Sequence, residues 1–323
     1  MRHFCTLFDS NYLLRGLTLF RSLERCMGEF RLYALALDEE CLAALRTIRS
    51  ARLVPVALPD VEAATPGLLQ AKANRSVVEY YFTLSPVLPL HILEHWQDVD
   101  LITYLDADLF FFASPEPIFE ELGTNSILIT EHRFPAALRA KEVFGQYNVQ
   151  YQTFRRDDEG LACLRRWRAQ CLEWCYDRLE AGRFADQKYL EEWPVRYPHL
   201  VVSRLPGAGV APWNWSTHEM RITPEGITVM NEPLIFYHFH ALKIFRPWLV
   251  SNGLLDFGMM PYRLRRRLYC GYVRELRATR EWIEKSGAGR FELRDRFKRH
   301  KLAATAMIGE VARKAWAQSM LIP

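Results

Sequence analysis

The chain has 323 residues, 50% of them hydrophobic and 13% aromatic, and a formal net charge of +4. This length allows one large domain or two, with a sizeable core. No run of about 18 apolar residues occurs and residues 1–12 lack the apolar segment of a signal peptide, so we expect a cytoplasmic protein without a membrane span. The seven cysteines are scattered, which fits reduced thiols.

The positive charge is concentrated at the C-terminal end. Residues 1–260 hold 26 Lys and Arg against 32 Asp and Glu, a net charge of −6, whereas residues 261–323 hold 16 against 6, a net charge of +10. Arginines and apolar residues form a basic amphipathic helix pattern there, which suits an anionic membrane surface through residues 261–301. The alternative is a helix that packs on the body by its apolar side. We expect no nucleic-acid partner, because the rest of the chain offers no basic surface.

Strand-like and helix-like segments alternate along residues 1–250. Strands are predicted at residues 4–8, 31–37, 53–58, 101–105, 126–130, 200–202, 227–230 and 234–237, and helices at 12–23, 41–48, 77–93 and 158–180. The helix at 77–93 is expected to be interrupted at Pro86 and Pro89. The alternation predicts an α/β fold with a mostly parallel sheet and helices on both faces. We expect this domain to cover residues 1–250 and a helical extension to cover 251–323.

Asp106 and Asp108 stand out because they directly follow the apolar strand at residues 101–105. Carboxylates in such a stretch are costly to bury without cations or hydrogen-bond donors. At the carboxyl end of a strand in an α/β protein the usual reason is a ligand. Asp-x-Asp places two oxygen donors within reach of one Mg²⁺ or Mn²⁺ ion, so the pattern indicates a metal bridge to a diphosphate. The alternative is that one of the two aspartates caps the next turn and the other is exposed to solvent.

Residues 9–12, Asp9-Ser10-Asn11-Tyr12, follow the first predicted strand, where a doubly wound sheet binds nucleotides. Asp9 is suited to accept a hydrogen bond from a nucleotide base or a ribose hydroxyl, and Asn11 is suited to bond the ribose. The alternative for both residues is that they cap the following helix. No Gly-x-Gly-x-x-Gly and no Walker loop occurs here, which argues against dinucleotide oxidoreductases and P-loop kinases. The charge of a bound phosphate would then be met by a metal and basic side chains.

Two later stretches carry groups suited to sugars. Asp186 and Gln187 are predicted at a helix start, where a carboxylate and an amide can hold sugar hydroxyls; the alternative is capping. Trp213 and Trp215 follow a small-residue turn, and tryptophan faces stack well on sugar rings. The alternative places both tryptophans in the core.

The last predicted strand ends in imidazoles and cations. His238 and His240 share a face if the strand continues that far, and Lys243 and Arg246 follow closely. An imidazole there would complete a metal site with the two aspartates, and the cations are placed for a diphosphate.

Taken in order, these motifs resemble those of the GT-A fold glycosyltransferases, most closely the family 8 type that includes bacterial lipooligosaccharide galactosyltransferases and glycogenin. The matches span about residues 3–250: Asp9-Ser10-Asn11-Tyr12 for D-x-N-Y, Tyr104-Leu105-Asp106-Ala107-Asp108 for Y-L-D-x-D, Tyr147-Asn148-Val149-Gln150 for F-N-x-G, Asp186-Gln187 for D-Q, and residues 240–248 for the closing H-F-x-G-x-x-K-P-W. The chain departs from the family at Gln150 and Lys243, where the family has glycine. It also has Thr83 where the family has a basic residue, for which Lys72 or Arg75 is expected to substitute.

The resemblance implies a GT-A catalytic domain at residues 1–250 and a basic helical extension at 251–323. It implies a metal-dependent enzyme that moves a sugar from a nucleoside-diphosphate sugar to a hydroxyl of a glycan or lipid-linked acceptor, with retention of configuration. The implied Mn²⁺ or Mg²⁺ ligands are Asp106, Asp108 and His240; the donor-binding residues are Asp9, Asn11, Tyr12, Arg75, Asn148, Lys243 and Arg246; the catalytic residues are Asp186 and Gln187. The basic extension suggests an acceptor at the inner face of a membrane, with peripheral association.

Other functions remain open on the sequence. An inverting reaction would need a carboxylate base, for which Asp186 and Glu131 are candidates. A sugar nucleotidyltransferase normally carries a Gly-rich loop with Lys or Arg after its first strand, which residues 9–16 do not supply. A non-catalytic protein that binds membranes or nucleic acid through the basic extension is the third possibility.

Overall fold

The computed structural model describes residues 1–246, 248–295 and 319–321. The strands are β1 (Arg2–Phe8), β2 (Phe30–Ala36), β3 (Leu53–Ala57), β4 (Leu101–Leu105), β5 (Leu109–Phe111), β6 (Ile127–Glu131), β7 (Tyr147–Arg155), β8 (Leu200–Val202), β9 (Met220–Ile222), β10 (Ile227–Val229), β11 (Glu232–Pro233), β12 (Phe236–His238), β13 (Lys243–Arg246), β14 (Leu249–Ser251) and β15 (Ser319–Leu321). The α-helices are α1 (Leu13–Cys26), α2 (Glu39–Thr47), α3 (Leu58–Ala64), α4 (Leu68–Ala73), α5 (Val77–His95), α6 (Glu116–Leu122), α7 (Asp158–Glu173), α8 (Trp193–Arg196), α9 (Tyr262–Arg265) and α10 (Gly271–Lys285). Short 3₁₀ helices cover Ala136–Phe144, Lys188–Glu192 and Leu254–Asp256, and a π-helix covers Arg266–Cys270.

A seven-stranded sheet forms the centre of the molecule, in the order β3-β2-β1-β4-β7-β6-β8. Strand β7 runs antiparallel to both of its neighbours, and the other pairs are parallel. The predicted α/β fold with a mostly parallel sheet is therefore confirmed, and the strand that precedes Asp106 lies at the middle of the sheet, as its apolar sequence indicates.

Hydrophobic clusters cover both faces of the sheet because neighbouring strand residues alternate between them. Phe4 of β1 packs in a cluster with Leu17 and Phe20 of α1, whereas Cys5, next to it, packs in the other with Leu84 of α5. Most strand residues are consequently buried, and these include polar side chains such as Gln150 and Gln152 of β7.

Two predicted helices differ from those in the structure. Helix α5 starts at a capping box, in which Ser76 and Glu79 bond each other's backbone N–H groups, and it continues through Pro86 and Pro89, so the expected interruption is wrong. Helix α7 ends at Glu173, and the following Trp174 is extended, so the predicted continuation to residue 180 is wrong. Strand β7, buried on both sides, is absent from the strands predicted by hydrophobic periodicity, although the stretch that resembles the F-N-x-G motif, residues 147–150, lies at its start.

The basic C-terminal segment packs on the body. Its apolar residues Leu268, Tyr272 and Leu276 are buried in the same hydrophobic cluster as α1. Of the two interpretations considered for the amphipathic pattern, the structure shows packing through the apolar side. The predicted range 261–301 extends to residues outside the described part of the chain.

None of the described helices combines the length and apolar character that crossing a bilayer requires. All seven cysteines are free thiols, as expected from their scattered positions.

Candidate functional site

A cavity of about 820 Å³ opens at the edge of the sheet where β1 and β4 end, within the size range of small-molecule sites. Nine of the residues predicted for the site line it: Asp9, Asn11, Tyr12, Asp106, Asp108, Asn148, Asp186, Gln187 and His240. Stretches that are far apart in the sequence therefore meet in one cavity.

The pairing of β5 with β12 builds the floor of the cavity. Leu109 lies opposite His238 in this antiparallel pair, and the Phe239 N–H donates to the Asp108 carbonyl at 3.0 Å. This register places His238 Nε2 at 2.9 Å from Asp108 Oδ1 and 3.9 Å from Asp106 Oδ2. The structure thus puts His238 in ion-pair distance of both aspartates, while His240, the expected ligand, lies beyond the strand with an exposed side chain.

His238 also matches the closing motif better than His240 at its first two positions. His238-Phe239 matches the H-F of the motif. With this match, the chain has two more residues than the motif between the histidine and the cation, Arg246. The His-Phe dipeptide was the signal that could have identified His238.

Gln150 fixes the orientation of the His238 ring. Its side-chain oxygen lies 2.9 Å from His238 Nδ1, and because an amide oxygen only accepts, Nδ1 carries the proton. The backbone N–H of Gln150 donates to Asn148 Oδ1 at 2.8 Å, and Asn148 Nδ2 donates to His132 Nε2 at 2.7 Å. The Nε2 atom of His238 is thereby directed at the two aspartates.

The two aspartates have different proton affinities. Burial raises the pKa of Asp106 to about 6, with the attraction of His238 opposing it and the charge of Asp108 adding to it. Burial also acts on Asp108, but the attraction of His238 and its hydrogen bond outweigh burial and lower the pKa to about 2. Asp106 keeps 29% of its side chain exposed, so water moderates its shift.

Asp9 closes the turn before α1 and also lines the cavity. Its Oδ1 accepts from the Tyr12 backbone N–H at 3.0 Å, and its Oδ2 accepts from the Tyr81 hydroxyl at 3.2 Å. Tyr12 is the N-cap residue of α1 and has no side-chain capping hydrogen bond, so Asp9 does not cap this helix. Tyr81 lines the cavity with Asn11 and was not predicted.

Asp186 and Gln187 lie on the other wall. Burial, with the charge of Asp106 adding to it, raises the pKa of Asp186 to about 7. Gln187 precedes the 3₁₀ helix Lys188–Glu192 without capping it by its side chain, and its amide donates to the Phe144 carbonyl at 2.9 Å. Helix capping does not account for Gln187.

The cations expected for the diphosphate are not among the residues that line the cavity. Arg75 bonds Thr83 and the Leu172 carbonyl, and Lys243 and Arg246 are exposed on β13. Lys141, which was not predicted, does line the cavity, with its ammonium 5.3 Å from the centre of the Phe257 ring.

An aromatic cluster surrounds the two histidines. Trp213 is buried and meets His238 and His240 edge-on, at ring-centre distances of 5.3 and 5.4 Å. Trp215 packs against the core and does not line the cavity. Trp213 is itself buried in the core, so the core alternative fits both tryptophans, and sugar stacking by Trp213, which borders the cavity, stays a prediction.

No protein-family model matches the chain. Two proteins of Bacillus subtilis strain 168 are similar to it in sequence. YfnD is 30% identical over 245 residues, which cover 75% of this chain and 78% of YfnD, and YfnF is 32% identical over 252 residues, which cover 75% and 82%. The chain belongs to the family of YfnD and YfnF. Both relatives are described as uncharacterized proteins, so membership in this family brings no activity with it.

Several solved structures share a resemblance with this member of the YfnD and YfnF family. The galactosyltransferase LgtC, in complex with donor and acceptor sugar analogues, is 16% identical, with 82% of this chain and 100% of LgtC covered and a TM-score of 0.48. The glycosyltransferase GlyE of Streptococcus pneumoniae TIGR4 is 15% identical, with 93% and 67% covered and a TM-score of 0.49. Mouse xyloside xylosyltransferase 1 is 13% identical, with 74% and 98% covered and a TM-score of 0.45.

Proposed function

We propose that the protein is a metal-dependent glycosyltransferase that moves a sugar from a nucleoside-diphosphate sugar to a hydroxyl of an acceptor. The observation that carries this proposal is the cluster of Asp106, Asp108 and His238 on the floor of a large cavity at the sheet edge. Asp9 and Asn11 lie in the same cavity, after β1, where doubly wound sheets bind nucleotides.

The chemistry of this cluster fits a divalent cation. Two carboxylates and an imidazole suit Mn²⁺ or Mg²⁺, and Gln150 holds Nδ1 of His238 so that Nε2 is the atom offered to a ligand. Among the described residues no three His, Cys, Asp or Glu side chains form a ready-made metal site, and His238 Nε2 lies 2.9 Å from Asp108 Oδ1. Asp106, Asp108 and His238 are the proposed ligands, with His240 beside them, and the bound cation would stabilise negative charge on the leaving diphosphate.

The remaining groups hold the two substrates. Asp9, Asn11 and Tyr12 bind the nucleoside, and Asn148 with Asp186 and Gln187 borders the transferred sugar. Arg75, Lys243 and Arg246 do not line the cavity, so the bound cation is the proposed counter-charge of the diphosphate.

The stereochemical course that we propose is retention. Of the two carboxylates considered as the base of an inverting reaction, Asp186 lines the cavity, whereas Glu131 accepts from Gln146 at 3.0 Å and does not. Proton NMR of the first product formed distinguishes the two courses by the configuration at the anomeric carbon. An inverted product would assign the base role to Asp186 and overturn retention.

The acceptor that we propose is a glycan or a lipid-linked sugar at an anionic membrane surface. Arg263, Arg266, Arg267 and Arg274 are exposed, whereas the apolar side of their segment is buried against α1. Association would therefore be electrostatic and weakened by salt. Co-sedimentation with anionic vesicles but not with neutral ones is the expected result, and equal binding to both would contradict it.

Thermal unfolding with a panel of UDP, GDP, ADP, CDP and dTDP tests the proposed function. A ligand that binds only the folded protein raises the melting temperature, so one nucleotide should do so in a Mn²⁺-dependent manner. Asp108→Ala should remove the Mn²⁺-dependent part and abolish sugar transfer from the corresponding nucleotide sugar. Full activity of Asp106→Ala and Asp108→Ala would refute the site, and release of pyrophosphate from NTP and sugar phosphate would indicate a nucleotidyltransferase instead.

A further inference from the structure

Lys141 is a cation of the cavity with no role in the function proposed above. It lies in the 3₁₀ helix Ala136–Phe144, a segment in which no residue is buried, and its side chain reaches the cavity over the face of Phe257. Among the described residues that line the cavity, it is the one lysine or arginine. The carboxylates of the cavity are five: Asp9, Asp106, Asp108, Asp177 and Asp186. Since the carboxylates of the cavity repel an anion, the ammonium of Lys141 is the group that can pair with one.

The surroundings of Lys141 suit a sugar ring. Phe257 lies under the ammonium, and both Phe257 and Phe134 are half-buried with part of their surface on the cavity. The ring of Phe257 is 6.3 Å from that of Trp213 and 6.5 Å from that of His240, so this aromatic wall is continuous with the histidine cluster. Aromatic faces beside a charged group bind a sugar that carries a charge of opposite sign.

The strand order shows on which side of the aspartates this wall lies. Across the sheet edge, β1 precedes Asp9, β4 precedes Asp106, β7 begins beside Asn148, and β6 leads into His132. Neighbouring strands are about 4.8 Å apart, so β1 and β6 are separated by roughly 14 Å with the aspartates between them. His132 stacks on Phe134 at a ring-centre distance of 4.9 Å. The wall of Phe134 and Lys141 is thus on the side opposite the nucleoside residues.

We propose that Lys141, with Phe134 and Phe257, forms an acceptor subsite for a sugar that carries an anionic group, a carboxylate or a phosphate. This inference rests on the proposed function, because the nucleotide at Asp9 defines which side is left for the acceptor. The ammonium pairs with the anion while the aromatic rings hold the sugar face. Neutral acceptors also fit the subsite, so it raises the affinity for anionic sugars without excluding neutral ones.

Two matched pairs of probes test the preference. The first pair is p-nitrophenyl β-D-glucuronide and p-nitrophenyl β-D-glucoside, which differ in a carboxylate, and the second is glucose 6-phosphate and glucose. Affinities are measured by ligand-observed NMR titration at low ionic strength, in Mn²⁺ with and without the nucleoside diphosphate that stabilises the protein. We expect the full-length protein to bind the anionic member of one pair at least about fivefold more tightly, and the pair that shows it identifies carboxylate or phosphate.

Lys141→Ala should remove this preference and leave the affinity for the neutral sugar unchanged. Arg139→Ala is the matched control, since Arg139 is an exposed cation of the same 3₁₀ helix outside the cavity lining, and it should keep the preference. Equal affinities within both pairs, or a preference that survives Lys141→Ala, would overturn the subsite.

The melting-temperature shift caused by the nucleoside diphosphate distinguishes the acceptor subsite from the donor site. Lys141→Ala should keep the melting-temperature shift caused by the nucleoside diphosphate; loss of the shift would place Lys141 on the donor diphosphate and overturn the acceptor assignment. A full-length protein that shows no shift with any nucleotide would refute the proposed function, while the probe pairs in Mn²⁺ alone would still decide whether Lys141 selects anionic sugars.

Discussion

Single side chains decide the chemistry of the cavity floor. Gln150 occupies a position where the related motif has glycine, a departure that the sequence alone could not interpret. In the structure it is fully buried and holds His238, which in turn contacts Asp108. The replacement of glycine by Gln150 therefore comes with a specific contact to His238. The same strand offers a control residue, Gln152, whose amide is buried without a hydrogen-bond partner among the described residues.

Gln150→Leu should weaken Mn²⁺ binding by roughly 10- to 100-fold, because His238 loses the partner that orients its ring. Gln152→Leu removes an unsatisfied buried amide and should leave Mn²⁺ binding unchanged, with stability equal or slightly higher. Isothermal titration with Mn²⁺ and thermal unfolding in EDTA measure the two effects. Equal Mn²⁺ affinity in the parent protein and Gln150→Leu would show that Gln150 only fills space.

Asp186 makes stability depend on pH. Its pKa is about 7 in the folded protein because of burial and the nearby Asp106, against an ordinary value of 3.8. The folded state therefore holds a proton that the unfolded state releases, and stability falls as pH rises from about 4 to about 7.

Asp186→Asn removes this ionisation. In EDTA, its stability advantage over the parent protein should be small near pH 4, grow to at most about 4 kcal/mol near pH 7 and then level off. Chemical denaturation at several pH values measures this difference. An advantage that does not change with pH would rule out the raised pKa.

At the scale of elements, tertiary packing outweighs the local sequence pattern in helices α5 and α10. Each proline within α5 removes a backbone donor, a cost of about 3 kcal/mol in an isolated helix. Leu84, Leu88 and Ile92 are fully buried along the same helix, and their burial compensates for the missing hydrogen bonds. Packing likewise decides the orientation of the basic amphipathic helix α10, because its apolar side is buried against α1.

Leu276→Ala should lower the free energy of unfolding by about 2–5 kcal/mol, because Leu276 is fully buried in the contact between α10 and the body. Arg274→Ala, at an exposed position of the same helix, should change it by less than about 0.5 kcal/mol. Urea denaturation compares the two variants. A negligible effect of Leu276→Ala would mean that α10 is detached from the body in solution.

At the scale of the whole molecule, a buried ion pair joins three distant segments. Arg15 of α1 contacts Asp295 at 2.8 Å and donates to the Leu242 carbonyl at 3.1 Å, and Asp295 accepts from the Ile244 N–H at 2.8 Å. The two charged side chains are 4% and 13% exposed. The start of α1, the segment after His240 and the segment around Asp295 are thereby held together.

Arg15→Met should destabilise the protein by about 3–5 kcal/mol, since it leaves the Asp295 carboxylate buried without its cation. Adding Asp295→Leu should restore part of this loss, and the recovery measures the coupling of the pair. Arg25→Ala, which removes an exposed ion pair between the same helix and Glu275 of α10, should cost less than about 1 kcal/mol. Similar losses for Arg15→Met and Arg25→Ala in denaturant titrations would contradict the buried pair.

The sequence by itself determined most of the order of the elements, and nine of the residues that it predicted for the site line the cavity. Hydrophobic periodicity is local, and residues that follow parallel strands meet at one sheet edge, so Asp9 and Asp106 could be assigned to one site from the pattern alone. Tertiary structure decided the partners. The pairing of β5 with β12 selected His238, the packing of α10 covered its apolar side, and the path of Ala136–Phe144 brought Lys141 to the cavity. These contacts join residues far apart in the chain, and their free energy depends on surfaces that no local pattern contains.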